Sequence, residues 1–406
     1  MKLLFITDDI RLNTGVGIQA RKLTKGLANL GYEVVVIGCA LNHKDLTPVK
    51  EDVLIYPVNI GREYGDKNFV RYVIDKEKPD FIIPFSDPRF FGYLFKMDDE
   101  IREYSRIVFY HTWDNDPFPK FNLPFYESCD ALVMISKFSY ELMKENIKDK
   151  PIYCVQHGFD PTEFYPLPQN IIRKERENLK NLVNMENLEF IIFWNNRNII
   201  RKRVGDVLMI FKEFHKTHPH SLLLMNTDPI DVEGIDILQF HRDLGFEKVP
   251  VVYNFEKVKS DRLNLFYNIA DVTFTITYNE GFGLCVGESL CAGTPVVATK
   301  TGGMTEQLTD GNKVYGILME PDVRTLFGVP GASYIYQDYV SFDTAINSLH
   351  TMYKERKTLK ETIGKEAREH IISHFHINQV IEKWDKILKE LYEQPKSYKR
   401  VKLTTI

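Results

Sequence analysis

Cysteine is scarce and unpaired in this sequence. The five present, Cys39, Cys129, Cys154, Cys285 and Cys291, are odd in number and scattered among apolar stretches. Such spacing excludes a disulfide framework and the paired Cys/His patterns of structural zinc, and points to a reducing, cytoplasmic setting. Long apolar runs are missing too. The opening MKLLFITDD carries a short apolar run closed by Asp8 and Asp9, too brief for a signal peptide or a membrane span, so it is expected to be a first strand. No transmembrane segment is expected, which leaves room for peripheral membrane contact. Nor is there a basic excess: 52 Lys+Arg against 56 Asp+Glu give a formal charge of -4, so no overall positive field invites nucleic acid. The basic clusters also lack the interleaved aromatics of a single-strand binder.

What is present suffices for two domains. A chain of 406 residues with 44% hydrophobic composition can bury two full cores. Apolar runs of strand length at 2–7, 33–38, 81–85, 107–111, 131–136 and 152–155 alternate with helical patterns, beginning with a helix over 17–30. This predicts a doubly wound α/β half. A second half opens on a strand at 190–194 and continues with strands at 221–225 and 249–253 and a helix at 260–270. Helices over 341–353, 359–375 and 377–392 close the chain. The boundary is expected near Pro166, giving domains 1–166 and 167–375 and a terminal segment, 376–406. In that segment Val380, Ile381, Trp384, Ile387, Leu388 and Leu391 form an apolar packing stripe. Residues 322–339 have no assigned place, and 396–406 read as a flexible tail.

The chain is organised around residues 279–303, NEGFGLCVGESLCAGTPVVATKTGG. A strand over 271–277 precedes it, a helix over 282–292 follows, and a strand over 294–299 closes the unit. Gly281 and Gly283 stand where the first strand ends, so backbone amides there can approach a ligand and feed a helix N-terminus: an anion site. Glu288 is the one charge in the helix, four residues after Leu284 and three before Cys291, on an apolar face. A carboxylate buried there costs several kcal/mol unless donors meet it. Ligand hydroxyls would serve, as would an internal Arg or Lys. Glu280 sits eight residues earlier, beside the same turn.

Three further stretches carry chemistry. TGVGIQA, residues 14–20, matches a dinucleotide fingerprint in form, yet Asp8 to Asn13 separate it from the strand, and the second strand ends at Gly38-Cys39 with no carboxylate for a ribose. A helix-start turn explains Gly15 and Gly17 equally well. YHTWDNDPFP, residues 110–119, crowds His111, Trp113, Asp114 and Asp116 after a strand. His111 there is either a site residue or a strand cap. The two aspartates resemble a metal-binding Asp-x-Asp, an acceptor-hydroxyl site or an Asx turn before Pro117. NNRNIIRKRVGDVLMIF, residues 195–211, sets Arg197 at a strand end and Lys202 just before a helix, with Arg201 and Arg203 expected on the surface or the acceptor side.

The Glu280-x7-Glu288 spacing around EGFGL, the following GTPVVAT and the TGG-x-x-E at 301–306 together resemble the retaining sugar-nucleotide glycosyltransferases of the GT-B fold. The resemblance implies an α/β protein of two Rossmann-like parallel-sheet domains facing a central cleft, an acceptor-side domain first and a donor domain second, with the last helix crossing back to the first. It implies donor binding by Gly15, Gly17, Arg197, Lys202, Glu280, Gly281, Phe282, Gly283, Leu284 and Glu288. Of these, Glu288 would meet the ribose hydroxyls, and Arg197, Lys202 and the turn amides the diphosphate. His111 and Glu280 would orient the sugar, so that His111, Glu280, Arg197 and Lys202 carry the chemistry. The implied reaction moves a sugar to a hydroxyl of a glycan, lipid or small molecule with retention, without a metal or other cofactor. Asn196, the run 277–279 and Met304-Thr305 depart from the family's usual residues, which leaves the donor's identity open. A catalytically idle sugar-nucleotide-binding protein and an NAD(P)-dependent oxidoreductase are the rival readings.

Overall fold

The computed structural model describes residues 1–59 and 64–395; the expected tail, 396–406, lies outside the described residues. The described chain forms two compact units. Unit 1 comprises Met1–Gly158, Gly328–Tyr334 and the stretch from Ile377; unit 2 comprises Phe159–Phe327 and Ile335–His376.

Unit 1 is an eight-stranded sheet: β1 (Lys2–Asp8), β2 (Glu33–Cys39), β3 (Val49–Lys50), β4 (Leu54–Pro57), β5 (Phe81–Ser86), β6 (Arg106–His111), β7 (Ala131–Met134) and β8 (Ile152–Cys154). Their order is β3-β4-β2-β1-β5-β6-β7-β8, parallel except for the β3–β4 pair. The central strands are apolar without alternation because helices cover both faces; Leu3, Leu4, Phe5 and Ile6 are all fully buried. Thr14 caps the helix Gly15–Asn29, its hydroxyl accepting from the Gly17 amide at 3.0 Å. The terminal helix Ile377–Glu393 belongs to this unit and lies on the first one. Ile381 fills the space a Cβ on Gly26 would occupy, 2.2 Å away. Trp384 meets Tyr110 edge-on at 5.2 Å, and Tyr32 donates to Asp385 at 2.8 Å.

Unit 2 is a six-stranded parallel sheet: β9 (Phe190–Asn195), β10 (Ser221–Asn226), β11 (Val251–Asn254), β12 (Val272–Thr275), β13 (Val296–Thr299) and β14 (Gly316–Met319), ordered β11-β10-β9-β12-β13-β14. Trp194, Leu208, Phe211, Phe274 and Leu349 are among its core residues. The chain winds one way from β9 to β11 and the other from β12 to β14. The reversal falls between β9 and β12, where ligands of such sheets bind at the carboxyl edge. The unplaced stretch is a two-stranded ribbon, β15 (Val323–Val329) and β16 (Ala332–Tyr339).

The two helices expected over 341–375 are one rod. Phe342–Thr358 runs through a π-helical turn, Leu359–Ile363, into Gly364–Phe375. That turn buries Lys360, whose ammonium donates to the carbonyls of Asn268 and Ala270, and burial pushes its pKa down to about 8. Among the described residues, no helix is long and apolar enough to cross a membrane.

Candidate active site

Two loops of unit 2 meet at the sheet reversal: 195–203, leaving β9, and 276–283, leaving β12. Their contact is fixed by backbone pairing. Tyr278 N donates to Arg201 O at 3.0 Å, and the Thr277 hydroxyl donates to the same oxygen at 2.9 Å. Gly283 adopts φ 83°, a left-handed geometry that glycine alone takes without strain, and turns the chain into the helix Leu284–Cys291. Gly303 packs so closely under the turn that a Cβ there would stand 2.5 Å from Gly281 O. The fully buried Gln307 donates to the carbonyls of Phe282 and Gly283, so these oxygens are tied down from below. The carbonyls are thus engaged on one side while the helix N-terminus is left for an anion.

Glu280 is buried beside this turn and held by two cations. Arg201 donates to its Oε2 at 2.8 Å and also to Asn279 O at 2.9 Å, and Lys202 donates to the same Oε2. Burial alone would raise the Glu280 carboxyl; the charges of Arg201 and Lys202 more than reverse this and bring it to about 2. Two cations thus stand beside Glu280 at a helix N-terminus. Glu288, on the same helix, accepts from the Tyr267 hydroxyl at 2.7 Å. Cys285 feels the charges of Lys202, Glu280 and Glu288, which places all four together, and burial pushes its thiol up to about 12, so it is no nucleophile.

The structure therefore brings Lys202, Glu280, Gly281, Phe282, Gly283, Leu284 and Glu288 into one site, and gives the arginines separate partners. Arg197 is turned away: its guanidinium pairs with Asp231 at 2.6 and 3.0 Å and with Glu233 at 3.1 Å, and stays half exposed. The loop carrying Asp231 is pinned by the buried Asn198, which donates to Ile235 O at 2.7 Å and so delivers the carboxylates to Arg197. Arg201, expected on the surface or the acceptor side, is the arginine on Glu280. Arg203 is buried rather than exposed, stacked over Tyr278 and Tyr339 at 5.3 and 4.1 Å.

In unit 1, His111 is fully buried. Its Nε2 meets the Tyr126 hydroxyl at 2.7 Å, its ring stacks on Phe109 at 4.8 Å, and burial lowers its pKa to about 4. In this structure it is a neutral, buried histidine of unit 1. Gly17 is required by packing, since a Cβ there would lie 2.9 Å from Leu12 O, while Gly15 is exposed at the helix start. In the aspartate stretch, Asn115 accepts from the Asp116 amide at 2.8 Å ahead of a cis Asp116–Pro117 bond. Among the described residues no group of three or more His, Cys, Asp or Glu is placed to hold a metal ion.

Two parallel-sheet units of this kind make up the GT-B fold. Residues 13–163 match the model of Glycosyltransferase Family 4, and residues 250–325 that of Glycosyl transferases group 1; the chain belongs to this family. It is similar to the sucrose-phosphate synthase of Thermosynechococcus elongatus, with a TM-score of 0.75, 14% identity and coverage of 97% of this chain and 99% of that one. Anabaena HepE, solved with UDP-glucose, gives a TM-score of 0.70 at 16% identity over 96% of this chain and 100% of that one. The α-monoglucosyldiacylglycerol synthase of Acholeplasma laidlawii is 25% identical over 185 residues, 44% of this chain and 43% of the relative. The chain spans about half the length of the curated relatives it matches.

Proposed function

We propose that the protein transfers a sugar from a nucleoside diphosphate sugar to a hydroxyl of a glycan, lipid or small molecule, with retention of anomeric configuration and without a metal. The observation that carries this reading is the buried Glu280 held by Arg201 and Lys202 beside amides at a helix N-terminus. A diphosphate is the ligand that this combination of two cationic donors and backbone amides suits. Glu288, on the same helix, would accept from the ribose hydroxyls. The names of the similar proteins support the same class: one was solved with UDP-glucose, one is named for a glycolipid product and one for a sugar phosphate.

In the reaction the bond between the anomeric carbon and the diphosphate oxygen breaks while the acceptor oxygen bonds to that carbon. The acceptor's proton passes to the departing diphosphate, and positive charge builds on the sugar ring. Lys202, Arg201 and the turn amides stabilise the leaving oxygens; losing one such group costs about 10² to 10³ in rate. Glu280, kept ionised at neutral pH, orients the two cations and faces the developing positive charge. These cations supply the counter-charge that a metal ion provides in other transferases.

The test is a panel of nucleoside diphosphate sugars, scored by thermal stabilisation and by nucleoside diphosphate release, with Lys202→Ala as control. Stabilisation by one donor class, slow hydrolysis and loss of both in Lys202→Ala are expected. Proton NMR of the product's anomeric signal then decides retention. Donor binding with no nucleoside diphosphate released for any acceptor would leave the idle binding protein instead.

A further inference from the structure

Three asparagines end three adjacent strands of unit 2 at one level. Asn226 closes β10 and is in register with Asn195 on β9 and Asn254 on β11. In a parallel sheet such residues face the same side, one strand spacing apart, so the row covers about 10 Å of the carboxyl edge. Their amides form a ladder. Asn254 donates to Asn226 Oδ1 at 2.6 Å, Asn226 donates to Asn195 Oδ1 at 2.8 Å, and Asn195 donates to the Tyr267 hydroxyl at 2.8 Å. Tyr267 in turn donates to Glu288 Oε2 at 2.7 Å.

Every bond in this chain points the same way, and the last group explains why. A carboxylate only accepts, so the single proton of Tyr267 goes to Glu288; the Tyr267 oxygen must then accept, which turns the Asn195 nitrogen toward it, and so along the row. Aligned dipoles of this kind strengthen one another in a low-dielectric setting. The Tyr267 ring is itself immobile, wholly buried and edge-on to Phe193 at 5.0 Å and Phe164 at 5.9 Å. A packed core alone explains a buried tyrosine. It does not explain why the in-register amides of Asn195 and Asn226 both turn their nitrogens along the line that ends on Glu288, with Asn254, also held by Glu256 O at 2.7 Å, continuing it.

We infer that Tyr267, backed by the Asn195–Asn226–Asn254 ladder, is the positioning group that fixes the Glu288 carboxylate for the donor's ribose hydroxyls, and that it thereby sets the preference for a ribonucleotide. This rests on the reading that Glu288 takes the ribose. With Tyr267 holding Oε2, the carboxylate meets the two ribose hydroxyls without first reorganising; without it, the group turns and the diol loses its partner.

The test compares UDP, GDP and ADP with their 2′,3′-dideoxy forms by calorimetry on wild type, Tyr267→Phe and Asn195→Asp. Phe keeps the pinned ring and deletes only the hydroxyl. Asp at 195 is isosteric but presents an acceptor to Tyr267, and so competes for the proton that Glu288 receives. Both variants are expected to bind the preferred ribonucleotide about 10-fold more weakly, the worth of one hydrogen bond to a charged group, while the dideoxy form changes less than about twofold. In turnover the donor KM rises by the same factor and kcat holds. Equal weakening of both forms would make Tyr267 a packing residue and overturn the inference, as would unchanged discrimination in Tyr267→Phe. A wild-type protein that binds none of the three would instead sink the functional reading, and this inference with it.

Discussion

The charge state of Glu280 makes the sharpest demand on experiment. Its carboxyl moves from an ordinary 4.5 to about 2 in the folded protein because the attraction of Arg201 and Lys202 outweighs burial. That displacement corresponds to about 3 kcal/mol of preference for the ionised form in the folded state. The folded pKa is the lower of the two, so the stabilisation is complete above about pH 5 and drains away as pH falls from 4.5 toward 2. About 2 kcal/mol of it is gone by pH 3. Glu280→Gln removes the titration and leaves Lys202 buried without its counter-charge, for a loss of about 3 to 5 kcal/mol at pH 7. Urea unfolding can follow unit 2 alone through Trp194 in a Trp113→Phe, Trp384→Phe background, since the sequence has three tryptophans and the other two lie in unit 1. The stability gap between parent and Glu280→Gln should narrow by about 2 kcal/mol between pH 7 and pH 3, at unchanged urea dependence. A gap of the same size at both pH values would refute the reasoning.

Other substitutions separate site from scaffold. Arg201→Ala should lower kcat/KM by about 10² while Arg197→Ala, whose guanidinium is already held by Asp231, costs less than about 3-fold; steady-state kinetics decides, and the reverse order would restore Arg197 to the diphosphate. Gly303→Ala drives a Cβ into the Gly281 carbonyl at 2.5 Å and so distorts the anion turn, and is expected to abolish donor-induced thermal stabilisation in a protein that still unfolds cooperatively. Gly26→Ala forces Ile381 off the first helix and should destabilise unit 1 by about 1 to 3 kcal/mol in calorimetry, with donor affinity in unit 2 unchanged.

Much of this architecture is legible in the sequence because parallel strands buried on both faces read as unbroken apolar runs, as Leu3–Ile6 and Phe190–Trp194 do. The glycine turn and its two glutamates are legible as well, since strand end, turn and helix are consecutive in the chain. What escapes is whatever depends on a partner distant in sequence. Arg197 and Arg201 lie four residues apart, and only the loop that brings in Asp231 decides which of them reaches Glu280. His111 ends a strand, yet Phe109 and Tyr126 close over it. Gln307 braces the turn from a helix that the motif TGG-x-x-E marks, one residue beyond the glutamate. The short strands β4 and β14 leave too few residues for a period, and the asparagine ladder is three isolated residues until the register aligns them.

The account stands most directly on where a nucleotide binds, and a crystal structure with UDP or another nucleoside diphosphate tests it. Diphosphate oxygens on the amides of residues 281–284 and on Lys202, with the ribose hydroxyls on Glu288, are predicted. A nucleotide seated instead at Gly15 and Gly17 with its ribose far from Glu288 would contradict it.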